Sequence, residues 1–484
     1  MENQNEEEKV LKKIDKKISK EDKDNIIYTS FLETDDYILE QVNNASLATH
    51  ATHATDTRFL IFNKKTASID YQDNFLTQGR EYCPIIDDLL LNAGILLPSG
   101  AEEYGTPKKL IDEIGSFFCS YFEVPKFFEN FLPYLQLFYW VYEKFPFVPY
   151  LHFVGLTGTG KTTAQEVFGS VCYKPIDASG AITVSPIFRI ATKWRGTLLL
   201  DEFEPDGENY KEMMALLKSG VSNKTILRTE GEKKKEVKVY LIKSPKVFTS
   251  EHPIKNAGLR SRTLVIQMDK NKRRIPLFRL QSFLDQALHI RNKLLLWRLR
   301  NFNNIDLKQI EYGFKELENF DRRVQQVVTP IYYLSDKDTK IKIINFAKTQ
   351  EEETKRERRD SLEGQIFQYM IDIHPEAVTL KAIAGKINED LPGRRHISEK
   401  KIGSIVRTIF GFDIKRLTHE YISTIIFDDK QDKIKELSLY FGIPVASEAS
   451  EASVAKVNIE LQEAPKNATH PKEEIDDLWN TKDL

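Results

Sequence analysis

Eight residues, Gly155-Leu156-Thr157-Gly158-Thr159-Gly160-Lys161-Thr162, have the spacing GxxxxGK[ST], in which glycines let successive backbone N–H groups close around phosphate oxygens. Lys161 adds a cation near the terminal phosphates, and Thr162 offers a hydroxyl to Mg²⁺ at a helix N-terminus. With Thr163, these residues form the expected nucleotide-binding set. Further along, Gly196-Thr197-Leu198-Leu199-Leu200-Asp201-Glu202-Phe203-Glu204 is an apolar run ending in two carboxylates. Asp201 is expected in the Mg²⁺ shell, and Glu202 is expected to orient and deprotonate an attacking water. An acid pair of this kind points to hydrolysis. The competing readings are a glycine-rich turn before a helix, and a solvated glutamate that merely closes a strand.

Positioning these groups requires strands. Tyr150-Leu151-His152-Phe153-Val154 leads straight into the glycine loop, and Gly196 to Leu200 reads as a second buried strand. Ligands of open parallel sheets bind at the C-terminal edge, where both runs deliver their polar residues. Beyond them, Thr225-Ile226-Leu227-Arg228 and Glu236-Val237-Lys238-Val239-Tyr240 read as two strands joined by the polar turn Gly231 to Lys235. Pro245 to Ser250 reads as a further core strand ending in groups able to sense the γ-phosphate through water. Gly258-Leu259-Arg260-Ser261-Arg262 places two arginines just before the apolar strand Thr263 to Ile266.

In this order of parts the chain resembles AAA+ P-loop ATPases, in particular the branch holding superfamily 3 and minichromosome-maintenance helicases and the ATPase halves of phage and plasmid primase-helicases. The resemblance covers about Tyr150 to Met268. It implies ATP as the nucleotide, an α/β core with a helical lid, and assembly into a homo-oligomer, a hexameric ring in the family's manner of closure. It further implies that Arg262, with Arg260 in reserve, acts as an arginine finger on a neighbouring subunit's ATP. The lysine turn Lys233-Lys234-Lys235 would line a central pore and grip DNA. Family sensors are usually asparagine. Here Thr249, Ser250 and His252 compete for that place, and Ser250 is taken as the sensor.

Composition limits the rest. The 484 residues suffice for about three domains of ordinary size. Lys+Arg total 70 against Asp+Glu 72, a formal net charge of −2, so any contact with nucleic acid must be local. Cys83, Cys119 and Cys172 lack metal or disulfide spacing, which points to a reducing, cytoplasmic setting. The aromatic-rich segment Phe117 to Tyr150 is broken by charges and prolines, so it reads as buried helices and no membrane span is expected.

The expected organisation is a charged tail (1–25), a small β-rich N-terminal domain (26–105), a helical lead-in (106–148), the ATPase core (149–270) and a helical lid (271–350). The histidine repeat at 48–55 lacks companion ligands and reads as a loop. A C-terminal winged helix-turn-helix is expected over 351–428, then a helix and an acidic, repetitive tail (429–484). Three helices precede an alternating pair of strands there, and Lys400, Lys401 and Arg407 lie on the third helix. With Arg394, Arg395, Lys415 and Arg416 they would make a phosphate footprint, although the same fold also serves protein partners. The expected activity is a DNA helicase motor on single-stranded or forked DNA, in replication of a mobile element, phage or plasmid. The alternative is an ATP-dependent DNA-binding regulator or loader without unwinding.

Overall fold

The computed structural model describes residues 25–43, 57–87, 95–178, 184–203, 210–230, 236–276, 278–373, 378–389, 396–416, 422–427 and 430–444. The histidine repeat, Lys233, Lys234, Lys235, Arg394, Arg395 and both tails lie outside the described residues. The chain divides into two compact units, Met1–Glu351 and Glu352–Leu484. The segments read separately as 26–105, 106–148, 149–270 and 271–350 thus fall within one unit.

That unit begins with β1 (Ile26–Tyr28), β2 (Phe31–Glu33), β3 (Tyr37–Asn43), β4 (Thr57–Asn63), β5 (Ile69–Gln72), β6 (Phe75–Thr77) and β7 (Arg80–Cys83). The run Ile26 to Phe31, whose apolar and β-branched residues read as one strand, is split: β1 joins β7 and β6, while β2 opens the antiparallel sheet β2-β3-β4-β5. The Thr29 hydroxyl explains the break. It accepts from the Phe31 N–H and donates to the Phe31 carbonyl, folding the backbone where a strand would run on.

Two helices follow, α1 (Pro107–Tyr121) and α2 (Lys126–Trp140). Thr106 caps α1 by accepting from Lys109 N–H at 3.2 Å, and Pro107 occupies the first turn, where its missing donor costs nothing. Leu110, Ile114, Phe117, Phe118 and Tyr121 form its buried stripe. None of the described helices is long and apolar enough to cross a membrane.

The α/β part comprises β8 (Tyr150–Val154), α3 (Lys161–Ser170), β9 (Ile176–Asp177), α4 (Val184–Trp194), β10 (Leu198–Leu200) and α5 (Tyr210–Ser219). The antiparallel pair β11 (Thr225–Glu230) and β12 (Glu236–Leu241) comes next, then β13 (Lys246–Ser250), α6 (Ala257–Arg260) and β14 (Thr263–Gln267). Five strands make one parallel sheet in the order β14-β8-β13-β10-β9. β8 and β13 are buried throughout, as a sheet covered on both faces requires. The short edge strand β9 has no sequence signal of its own, being two residues long.

The unit closes with α7 (Gln281–Asn301), α8 (Leu307–Tyr312), α9 (Arg322–Leu334) and α10 (Lys337–Asp360), the last running across the boundary between units. The amphipathic pattern over 322–347, which reads as one segment, forms two helices, because Ser335 leaves helical geometry with ψ near 151°. Leu294, Leu295 and Trp297 of α7 and Val328 and Ile331 of α9 share one core with Phe138 and Trp140 of α2 and with Ile38 and Leu60 of the N-terminal sheet.

A buried ionic cluster ties these parts together. Glu40 on β3 meets Lys174 Nζ at 2.8 Å and Arg298 Nε at 2.6 Å, and accepts from the Tyr173 hydroxyl at 3.0 Å. Arg298 also pairs with Glu143 at 2.9 Å. Glu40 and Lys174 are 1% exposed and Arg298 is fully buried, so each charge depends on the others. Burial pushes the Lys174 ammonium down to about 8, against the opposing pull of Glu40. Glu40→Ala would leave two buried cations without their shared anion and is expected to lower stability by about 3–5 kcal/mol, as denaturant unfolding would measure.

The second unit packs α11 (Leu362–Ile373), α12 (Leu380–Glu389) and α13 (Glu399–Thr408) with an antiparallel hairpin, β15 (Asp413–Arg416) and β16 (Ser423–Ile426), then α14 (Gln431–Phe441). Thr379 and Ser398 cap α12 and α13 through their hydroxyls. Phe367, Ile383, Ile402, Val406, Phe410, Ile425 and Phe441 form its core.

Candidate active site

The sheet register explains why distant residues meet. Leu200 on β10 lies opposite Phe248 on β13, and Phe248 lies opposite His152 on β8, so the residues just beyond these strands emerge at one edge. The glycine loop leaves β8 at that edge and feeds α3. Gly155 N–H donates to Ser250 O at 3.3 Å, and Met268 N–H donates to Val154 O at 2.6 Å, holding the loop's first residue between β13 and β14.

The glycines are required by geometry at two positions especially. Gly160 has φ +85°, which side chains rarely adopt. A Cβ on Gly155 would stand 2.5 Å from Met268 O. Within the loop, Thr159 donates its hydroxyl to Leu156 O at 2.8 Å, and Thr157 is bonded to Glu251. Lys161 Nζ donates to Leu156 O at 3.0 Å, so its ammonium lies folded over the loop it would share with phosphate.

The carboxylates sit directly across. Thr162 Oγ1 donates to Asp201 Oδ1 at 3.2 Å, and Thr249 Oγ1 donates to the same oxygen. Thr249 Oγ1 in turn accepts from the Glu202 N–H at 2.9 Å. That bond holds Glu202 at φ +48°, a left-handed conformation costly for a non-glycine residue and of a kind that clusters at functional sites. The Glu202 side chain is exposed, and together with Lys161, Thr162, Thr163, Thr157, Ser250, Glu251, Gly158 and Gly160 it lines a cleft of about 530 Å³.

Of the three competitors for the sensor place, each has a different position. Thr249 is bonded to Asp201, Ser250 lines the cleft, and His252 is exposed and contributes its carbonyl to Ser250. The clamp that Thr249 places on Asp201 was not anticipated from sequence, since threonine at a strand end looks like any β-branched residue. Asn271, which packs against Gly160, was also missed; a Cβ on that glycine would lie 3.4 Å from its amide.

The arginines lie elsewhere. Arg262 O accepts from Tyr150 N–H at 3.1 Å, which places Arg262 at the N-terminal edge of the sheet, opposite the glycine loop. Its guanidinium donates to Gly258 O, and its Nε is buried without a partner. Burial lowers its affinity for its proton, and the neighbouring Arg323 charge lowers it further. Arg260 donates to Ile254 O at 3.1 Å. In the second unit, Lys400, Lys401 and Arg407 are exposed on α13, as are Lys415 and Arg416 on β15.

Among the described residues no group of three or more His, Cys, Asp or Glu is arranged to hold a metal by itself. The hard-oxygen pair of Thr162 and Asp201 does suit a Mg²⁺ that takes most of its ligands from phosphate and water.

Neither a protein-family model nor a curated protein matches the chain. Solved structures are similar to it at low identity. The apo structure of the NrS-1 C-terminal region is 12% identical, covering 80% of this chain and 96% of that one, with a TM-score of 0.38. SCCmec type IV Cch, described as an active helicase, is 14% identical, covering 86% of this chain and 81% of that one, with a TM-score of 0.42. Likenesses of this strength bear no weight for the chemistry, which rests on the chain's own residues.

Proposed function

We propose that this chain is a Mg²⁺-dependent ATPase of AAA+ type that works as a ring-shaped homo-oligomer on DNA, as a helicase in the replication of a mobile element, phage or plasmid. The observation that carries the ATPase reading is the meeting of Thr162, Asp201 and Thr249 beside a glycine loop, with Glu202 lining the same cleft. Thr162 comes from α3, Asp201 and Glu202 from the end of β10 and Thr249 from β13, while the glycine loop follows β8.

In this reading the loop N–H groups and Lys161 hold the β- and γ-phosphates, which requires Lys161 to exchange the Leu156 carbonyl for phosphate oxygen. Thr162 and Asp201 would hold Mg²⁺, which when bound neutralises charge on the phosphate oxygens. Glu202 takes a proton from the attacking water. The water oxygen forms a bond to the γ-phosphorus as the bond to the ADP oxygen breaks, giving ADP and phosphate. Arg262 stabilises that charge on the ATP of an adjacent copy.

For DNA, the support is the exposed cations Lys400, Lys401 and Arg407 on the third helix of a three-helix and hairpin unit, the order of a winged helix. Lys233, Lys234 and Lys235, which lie between β11 and β12 in the sequence, would add further cations. The test is displacement of a labelled strand from a forked duplex. ATP-dependent displacement is expected; ATP-dependent DNA binding without displacement would favour the regulator or loader instead.

A further inference from the structure

His152 stands out as a polar ring inside an otherwise apolar strand. It is fully buried in β8, and its ring packs edge-on against Phe248 with centroids 6.1 Å apart. Side chains alternate along a strand, so His152, Phe248 and Ser250 share one face of the sheet, because His152 lies opposite Phe248 in the register. His152 Nε2 lies 2.7 Å from Ser250 Oγ. Ser250 Oγ is also 2.5 Å from His252 O, an acceptor only.

These two contacts fix the protons. The serine has one hydroxyl hydrogen, and the His252 carbonyl takes it, so Ser250 Oγ must accept from Nε2–H. The ring is therefore the neutral Nε2–H tautomer, with a bare acceptor at Nδ1, which is buried without a partner. Burial pushes this imidazole down to about 4, so it stays neutral at neutral pH. An unpartnered buried acceptor carries a desolvation penalty that an apolar side chain in the same slot would not.

We propose that His152 is a positioning residue: by holding the Ser250 hydroxyl toward the His252 carbonyl, it leaves one Ser250 lone pair as a fixed acceptor for the water that attacks the nucleotide. Ser250 lines the same cleft as Glu202, so the water would have two oxygen acceptors, one that takes its proton and one that only aims it. Ser250 is then a water acceptor and makes no donor contact to phosphate. This inference rests on the ATPase reading.

The experiment compares kcat, KM and the affinity for a non-hydrolysable ATP analogue in His152→Leu, His152→Asn, His152→Gln, Ser250→Ala and the double variant His152→Leu/Ser250→Ala. His152→Leu removes the donor, and the asparagine side chain is too short to reach Ser250. Both are expected to lower kcat by about 10- to 100-fold, with KM and analogue affinity within about twofold of wild type. His152→Gln, which retains an N–H at similar reach, is expected to recover most of that loss. In the Ser250→Ala background the His152→Leu change should add nothing further.

Unchanged kcat in both His152→Leu and His152→Asn overturns the proposal. So does a loss of equal size with and without Ser250, or an effect confined to KM. Should the leucine variant fail to fold, the asparagine and glutamine pair decides alone, since their kcat values must differ. Wild-type chain that turns over no ATP would instead refute the ATPase reading itself.

Discussion

A chain carrying Glu202→Gln is expected to bind ATP as tightly as wild type and to hydrolyse it about 10²- to 10⁴-fold more slowly, the contribution typical of a general base. The amide keeps the size of the carboxylate and cannot accept the water's proton. The features that fix this residue belong to the backbone: its φ of +48° and its N–H bond to Thr249. Both survive the substitution, as does the contact of Thr162 with Asp201. Phosphate release and equilibrium binding, measured together, separate this outcome from Lys161→Ala, which should lose binding itself because it removes the only loop side chain carrying positive charge. Turnover by Glu202→Gln equal to wild type would place the base elsewhere.

Arg262→Ala should lower turnover further, by about 10³- to 10⁵-fold, while leaving ATP binding intact. The size follows from what a finger does, and the separation follows from the sheet. Arg262 adjoins the start of β8 through its bond with Tyr150, whereas the glycine loop leaves the far end after Val154. Five strand residues at about 3.3 Å each put roughly 15 Å of sheet between them. The guanidinium is also engaged with Gly258 on its own side and stands near the charge of Arg323. Two neighbouring cations at a partly exposed edge favour an arriving anion, and an adjacent copy's phosphates would supply one. Mixing Arg262→Ala with Lys161→Ala chains should then restore part of the turnover, because each supplies the group the other lacks. No recovery on mixing, with both proteins folded, would argue for a residue acting within its own chain.

The glycine loop and the acid pair of the candidate site were legible in the sequence because each is local. A glycine loop between a strand and a helix, and an acid pair at the end of an apolar run, each declare themselves within about ten residues. Contacts made across strands were not legible. The Thr249 bond to Asp201 and the His152 bond to Ser250 depend on β13 lying between β8 and β10, an order that no pattern in 150–154 or 246–250 encodes. The buried cluster of Glu40, Lys174 and Arg298 was hidden for the same reason: its members stand far apart in the chain, and each alone looks like a surface charge. Strand ends were misplaced where a side chain diverts the backbone, as Thr29 does between Tyr28 and Phe31. In the second unit the three helices and hairpin followed their caps and alternation closely, since Thr379 and Ser398 act within their own first turns.

The most direct test of a shared site between copies is ATP turnover per chain across a range of protein concentrations, with mass in solution measured at each point. The account predicts turnover that rises steeply as the mass passes from one chain to a multimer, and near silence below that threshold. Constant turnover per chain from a species with the mass of a single 56.1 kDa polypeptide would contradict it.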